Sequence, residues 1–92
     1  MSITHRKYRP VGSNDEFRFT FVDRGRHVDI FCTQHPGFGG RDPSVTKTHI
    51  YGSRELCFHE GMKPRSQAEA ELRAAQWAAY LVNYIATGVA AG

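Results

Sequence analysis

Ninety-two residues suffice for one domain around one hydrophobic core. A hydrophobic content of 40% with 12% aromatics is ordinary for a globular chain and too apolar for a disordered one. No run approaches the ~18 consecutive apolar residues of a membrane span, so no membrane partner is expected. Residues 1–7 are basic with no apolar stretch behind them, which is not a secretory signal; a cytoplasmic location with reduced thiols is expected.

The net charge of +3 arises from 12 basic and 9 acidic side chains, and it is uneven. Arg6, Lys7 and Arg9 account for the whole surplus, and the remaining residues sum to zero. Residues 1–15, with Pro10, Gly12, Ser13 and Asn14 as breakers, read as an irregular basic segment ahead of a single domain over 16–92. Such a segment implies a weak attraction for acidic partners and makes nucleic acid an unlikely ligand.

From residue 16 the pattern becomes regular. EFRFTFVD alternates, with Phe17, Phe19 and Phe21 on one face, which predicts a half-buried strand. DRGR is a turn, and HVDIFC alternates again with Val28, Ile30 and Cys32 together, completing an antiparallel hairpin. TQHPGFGGRDPS, with two prolines and three glycines, is a long loop, and long loops in small domains often carry function. VTKTHIY resumes a strand pattern, Gly52-Ser53 permits a tight turn, and RELCF is a short extended piece. In it Leu56 and Phe58 share one side and Cys57 faces the other.

The last third is helical. Ser66 followed by Glu69 is a capping box, and Gly88 is a fitting stop. Ala70, Ala74, Trp77, Ala78, Leu81 and Ile85 recur at helical spacing, with Glu69, Arg73, Gln76, Tyr80, Asn83 and Thr87 opposite. About 22 residues at 1.5 Å each give a helix of roughly 33 Å. The expected fold is α+β: an antiparallel three- to four-stranded meander, then one long C-terminal helix packed on the sheet through Trp77.

The string His49-x-Tyr51, followed by Leu56-Cys57, between a meander and a Trp-bearing helix, resembles the bacterial relatives of ubiquitin-conjugating enzymes. WAAYLVNYIATG is similar to their pattern of Trp, aromatics and Thr-Gly, and HPGFGG stands where that family has a Tyr-Pro-rich loop. The resemblance covers residues 16–88 and implies a truncated or minimal member. It implies a transferase that accepts a ubiquitin-like modifier from an activating enzyme by transthiolation. Cys57 would be the nucleophile, with His49 ordering the active-site strand. Tyr51 stands where the eukaryotic motif has Asn, and its hydroxyl is a candidate donor to the oxyanion. Phe38, Arg54 and His59 are candidate partner-binding residues.

Other readings of the same residues stay open. Cys57 also fits a small apolar filler, His49 a half-exposed strand residue, and Tyr51 a cover for the sheet. The chain would then be a non-catalytic protein-binding module of the same fold. A zinc-stabilised domain is a further alternative, with Cys32, His35, Cys57 and His59 as ligands. Cys57-x-His59 on a strand is a poor ligand spacing, and Cys32 is expected to face the core. No cofactor is implied: the glycine-rich loop lacks the lysine and strand-to-helix context of a phosphate loop. Ser44 and Ser53 have no base-and-acid constellation.

Overall fold

The computed structural model describes residues 1–58 and 61–90. The protein is α+β. Strands β1 (Ser2–Tyr8), β2 (Phe17–Asp23) and β3 (Val28–Gln34) form an antiparallel sheet in that order. A single helical turn, α1 (Val45–Thr48), follows, and then the long helix α2 (Gln67–Thr87).

The expected hairpin is present. Phe19 pairs with Cys32, Phe21 with Ile30 and Asp23 with Val28. One residue further, Arg18 pairs with Gln34, so Thr33 is the extra residue of a bulge. Phe17, Phe19, Phe21, Val28, Ile30 and Cys32 are all buried on the face that α2 covers. Each large apolar side chain buried there contributes about 2–3 kcal/mol. Ala70, Ala74 and Ala78, one turn apart, bring the helix close to the sheet, and Trp77 inserts between the rings of β2. Its ring meets Phe17 edge-on at 5.9 Å and Phe19 at 6.1 Å. Cys32 belongs to this core: its thiol donates to the Gln34 carbonyl at 3.1 Å, and burial pushes it up to about 12.

The helix ends as its sequence requires. Ser66 Oγ accepts from the Glu69 amide at 3.1 Å, and Gly88 closes the C-terminus in the left-handed region with φ 75°. Tyr84 takes the buried place expected of Ile85, which is half-buried. The Arg41 side chain crosses from the loop and donates to the carbonyls of Ile85 and Ala86, at 3.1 and 3.2 Å.

Three expectations are corrected. Residues 1–15 are not irregular throughout, because Ser2–Tyr8 pairs with β2 along its whole length. This strand escapes an apolar-alternation pattern because it lies at the sheet edge, where backbone pairing holds it and most side chains stay exposed. VTKTHIY is not a strand: Val45–Thr48 forms α1, and His49 ends it with φ 57°. The buried Thr48 hydroxyl donates to the carbonyls of Pro43 and Ser44, which favours the turn over the strand that β-branched residues prefer. Finally, Tyr80 does not lie on a solvent face. It is half-buried, and its hydroxyl donates to the Lys47 carbonyl.

Among the described residues, no helix is long and apolar enough to cross a membrane.

Candidate functional site

The site is built by α2 and by a short hairpin docked on the free edge of β3. Three aromatic side chains of α2 hold the segment before the hairpin. Trp77 Nε1–H donates to the Thr48 carbonyl at 2.8 Å, the Tyr80 hydroxyl to Lys47, and the Tyr84 hydroxyl to Asp42 at 2.8 Å. Positions 77, 80 and 84 share one helix face, so three donors reach one stretch of backbone. The Trp-and-Tyr pattern of the helix therefore has a positioning role here: it fixes residues 42–48, and with them the start of the site.

The backbone then turns at His49. Its amide donates to the Val45 carbonyl at 2.9 Å, and its own carbonyl accepts from the Cys57 amide at 2.8 Å. Ile50 pairs with Leu56, and the Tyr51 amide donates to the Glu55 carbonyl at 2.9 Å. The turn expected at Gly52-Ser53 closes through the Arg54 amide to the Tyr51 carbonyl at 2.9 Å, with Arg54 at φ 74°. The hairpin docks on β3 because the Leu56 amide donates to the Ile30 carbonyl and the Cys32 amide donates to the Arg54 carbonyl, both at 2.9 Å. These bonds supply the partial fourth element of the sheet as isolated bridges rather than a full strand.

Alternation along this piece puts Leu56 in the core and leaves Cys57 half-buried, with Phe58 packed against the core edge. The Cys57 thiol donates to the Tyr51 hydroxyl at 3.2 Å. Tyr51 is itself exposed, and the hydrogen bond with Cys57 raises its hydroxyl above the usual tyrosine value. A phenol kept protonated beside a sulfur can rotate its O–H toward a thiolate or an oxyanion formed there. His49 meets Cys57 through its backbone carbonyl, while its ring lies 5.4 Å from that of Tyr80.

Tyr51 also lines a groove of about 500 Å³ with Ile50, Gly52, Arg54, His35 and Phe38. Phe38 is half-buried and stacks on His35 at 5.1 Å. The Arg54 guanidinium donates to the Thr33 carbonyl at 2.8 Å, which holds it along this groove. His59 lies outside the described residues. Of the predicted site residues, then, Cys57, Tyr51 and His49 come together, and Phe38 and Arg54 share the adjoining groove.

Of the four zinc candidates, Cys32 is buried in the core. His35 packs against Phe38 and Trp77, with Nδ1 2.8 Å from the Pro36 carbonyl oxygen. Among the described residues no group of three or more His, Cys, Asp or Glu is gathered as a metal site would require.

One supporting cluster was not legible in the sequence. Asp29, buried on β3, accepts from Arg24 and Lys63 at 2.9 Å each, and His27 Nε2 lies 3.0 Å away. Burial alone would raise the Asp29 carboxyl, but the hydrogen bonds from Lys63 and Arg24 outweigh it and hold the group below its ordinary value. Lys63 also reaches Glu55 at 3.4 Å, tying the cysteine-bearing hairpin to the sheet. A buried charge inside an apolar alternating strand was the available signal; Arg24 and His27 lie in the turn just before it, but Lys63 comes from a separate segment.

Comparison of the chain with protein-family models, with curated proteins and with solved structures finds no match.

Proposed function

We propose that the chain is a ubiquitin-conjugating-enzyme-like transferase that accepts a ubiquitin-like modifier as a thioester on Cys57. The observation that supports this reading is the Cys57–Tyr51 contact, with the thiol sulfur 3.2 Å from a hydroxyl that also lines a groove. In the reaction Cys57 loses its thiol proton, and the thiolate attacks the carbonyl carbon of the thioester joining the modifier to its activating enzyme. A new C–S bond forms, the old one breaks, and the activating enzyme's sulfur leaves as a thiolate. Tyr51 is within reach to donate to the oxygen of the tetrahedral carbon. His49 shapes the site through its carbonyl bond to the Cys57 amide. The groove beside Tyr51 has room for an extended C-terminal peptide of the modifier. A reducing, cytoplasmic setting suits this chemistry, and both cysteines are free thiols.

A second reading, a non-catalytic protein-binding module of the same fold, is favoured by one observation: the His49 ring packs against that of Tyr80, with centroids 5.4 Å apart, as a structural residue would. Incubation with an activating enzyme, ATP and the modifier separates the two. A thiol-labile adduct on the wild type that is absent from Cys57→Ala supports the transferase. An adduct that persists in Cys57→Ala, or stable binding of the modifier with no adduct, assigns the module.

A further inference from the structure

The turn between β2 and β3 and the segment leading into α2 form the two walls of a cavity of about 570 Å³, lined by Arg26, His27, Gly61, Lys63 and Arg65. Backbone bonds join and shape these walls. The Val28 amide donates to the carbonyl of Pro64, itself buried, at 2.8 Å, and the Arg24 amide donates to the His27 carbonyl at 2.9 Å to close the turn. Residues 24–27 and 61–65 contain Arg24, Arg26, Lys63 and Arg65 and no acidic residue. Positive charge therefore converges on one concavity from two separate stretches of chain.

Part of this charge is already matched. Asp29 accepts from Arg24 through Oδ2 and from Lys63 through Oδ1, and His27 Nε2 approaches Oδ1. Lys63 also reaches Glu55 at 3.4 Å. Two carboxylates thus answer Arg24 and Lys63. Among the described residues no carboxylate pairs with the guanidinium of Arg26 or of Arg65. Both of these residues are exposed, and each guanidinium carries five N–H donors. The Lys63 ammonium has three donors, two of them engaged by Asp29 and Glu55.

The lining favours one ligand chemistry. Guanidinium forks match the oxygens of a phosphate group and hold them by paired, charge-assisted bonds. The cavity has room for more than one such group, within the roughly 300–1,000 Å³ of small-ligand sites. Among the described residues no Phe, Tyr or Trp lines it, so a nucleobase finds no large ring to stack on, and no acidic side chain lines it either.

We infer that this cavity binds a small anion with two or more linked phosphates, held by Arg26 from the turn and by Lys63 and Arg65 from the segment before α2. The site shares no lining residue with the groove beside Tyr51 and does not rest on the chemistry at Cys57.

Inorganic tripolyphosphate, added to the whole chain at fixed ionic strength, is the probe. Amide shifts at Arg26, His27, Gly61 and Arg65 are expected, with a rise in Tm because the ligand joins two walls that exist only in the folded chain. Arg26→Ala and Arg65→Ala should each weaken binding about threefold to tenfold. Both side chains are exposed, and unchanged hydrogen exchange in β2 and β3 verifies that the variants fold. Lys7→Ala removes the same charge at the other end of the sheet, where Lys7 pairs with Arg18, and should bind as the wild type does. ATP should bind no more tightly than tripolyphosphate. Equal weakening in Lys7→Ala, unchanged binding in both arginine variants, or no binding of tripolyphosphate would overturn the inference. So would an acidic peptide or a single-stranded oligonucleotide that occupies the same residues more tightly than tripolyphosphate.

Discussion

The indole N–H of Trp77 donates to the carbonyl of Thr48 at 2.8 Å, one residue before His49 turns the backbone into the hairpin that carries Cys57. The core of the domain and the geometry of the site therefore share a side chain. Trp77→Phe keeps the aromatic packing against Phe17 and Phe19 but strands a buried carbonyl. The expected cost is about 1–3 kcal/mol in denaturant unfolding. Hydrogen exchange at Lys47, Thr48 and His49 should accelerate more than exchange in β2, because the lost bond restrains that segment directly.

The two cysteines should differ sharply in reactivity. Cys32 is fully buried, hydrogen-bonded and held near 12, so native protein at neutral pH should not label there with iodoacetamide. Cys57 should label. Tyr51→Phe removes the hydroxyl 3.2 Å from its sulfur, so labelling of Cys57 should slow severalfold. Peptide mapping after brief exposure reads both. Equal labelling of Cys57 in wild type and Tyr51→Phe would remove Tyr51 from any role at the sulfur.

Acid should weaken the fold through Asp29. Its carboxyl is held below the ordinary value of 3.8 by Lys63 and Arg24, against the opposing effect of burial. A depressed acid favours the folded state above the ordinary value. That contribution is lost as pH falls from there through the lower folded-state value. Urea midpoints at pH 7 and pH 3 should therefore differ less in Asp29→Asn than in wild type. At pH 7 the variant should lose about 2 kcal/mol, since it forfeits hydrogen bonds from charged donors.

The C-terminus of α2 offers a coupled test. A Cβ at Gly88 would lie 2.8 Å from Arg41 Nη1, and the residue sits at φ 75°. Gly88→Ala should cost about 1–2 kcal/mol for the left-handed backbone alone. The guanidinium must also move, disturbing its bonds to Ile85 and Ala86. Arg41→Ala and Gly88→Ala should accordingly be less than additive when combined, as read from thermal or urea unfolding.

Much of the architecture is written locally. Period-two alternation in 17–23 and 28–34, the Ser66–Glu69 cap, helical spacing from Ala70 to Leu81 and Gly88 specify a hairpin and a helix with its ends. These signals work because each burial face repeats at the period of its own element. The alternation around Cys57 likewise predicts that the thiol turns away from Leu56, as it does.

Other features depended on residues distant in the chain. β1 is a strand because β2 offers its backbone an edge, although its own side chains carry no apolar alternation. Val45–Thr48 is helical, against its β-branched composition, because Trp77, Tyr80 and the Thr48 hydroxyl satisfy carbonyls there. Asp29 meets Lys63, 34 residues away, only when the segment before α2 is held to β3 by the Val28 amide donating to the Pro64 carbonyl. Local periodicity reports which face of an element is buried. Which carbonyls, charges and thiols then face one another depends on how those elements pack, and that is a property of the folded chain as a whole.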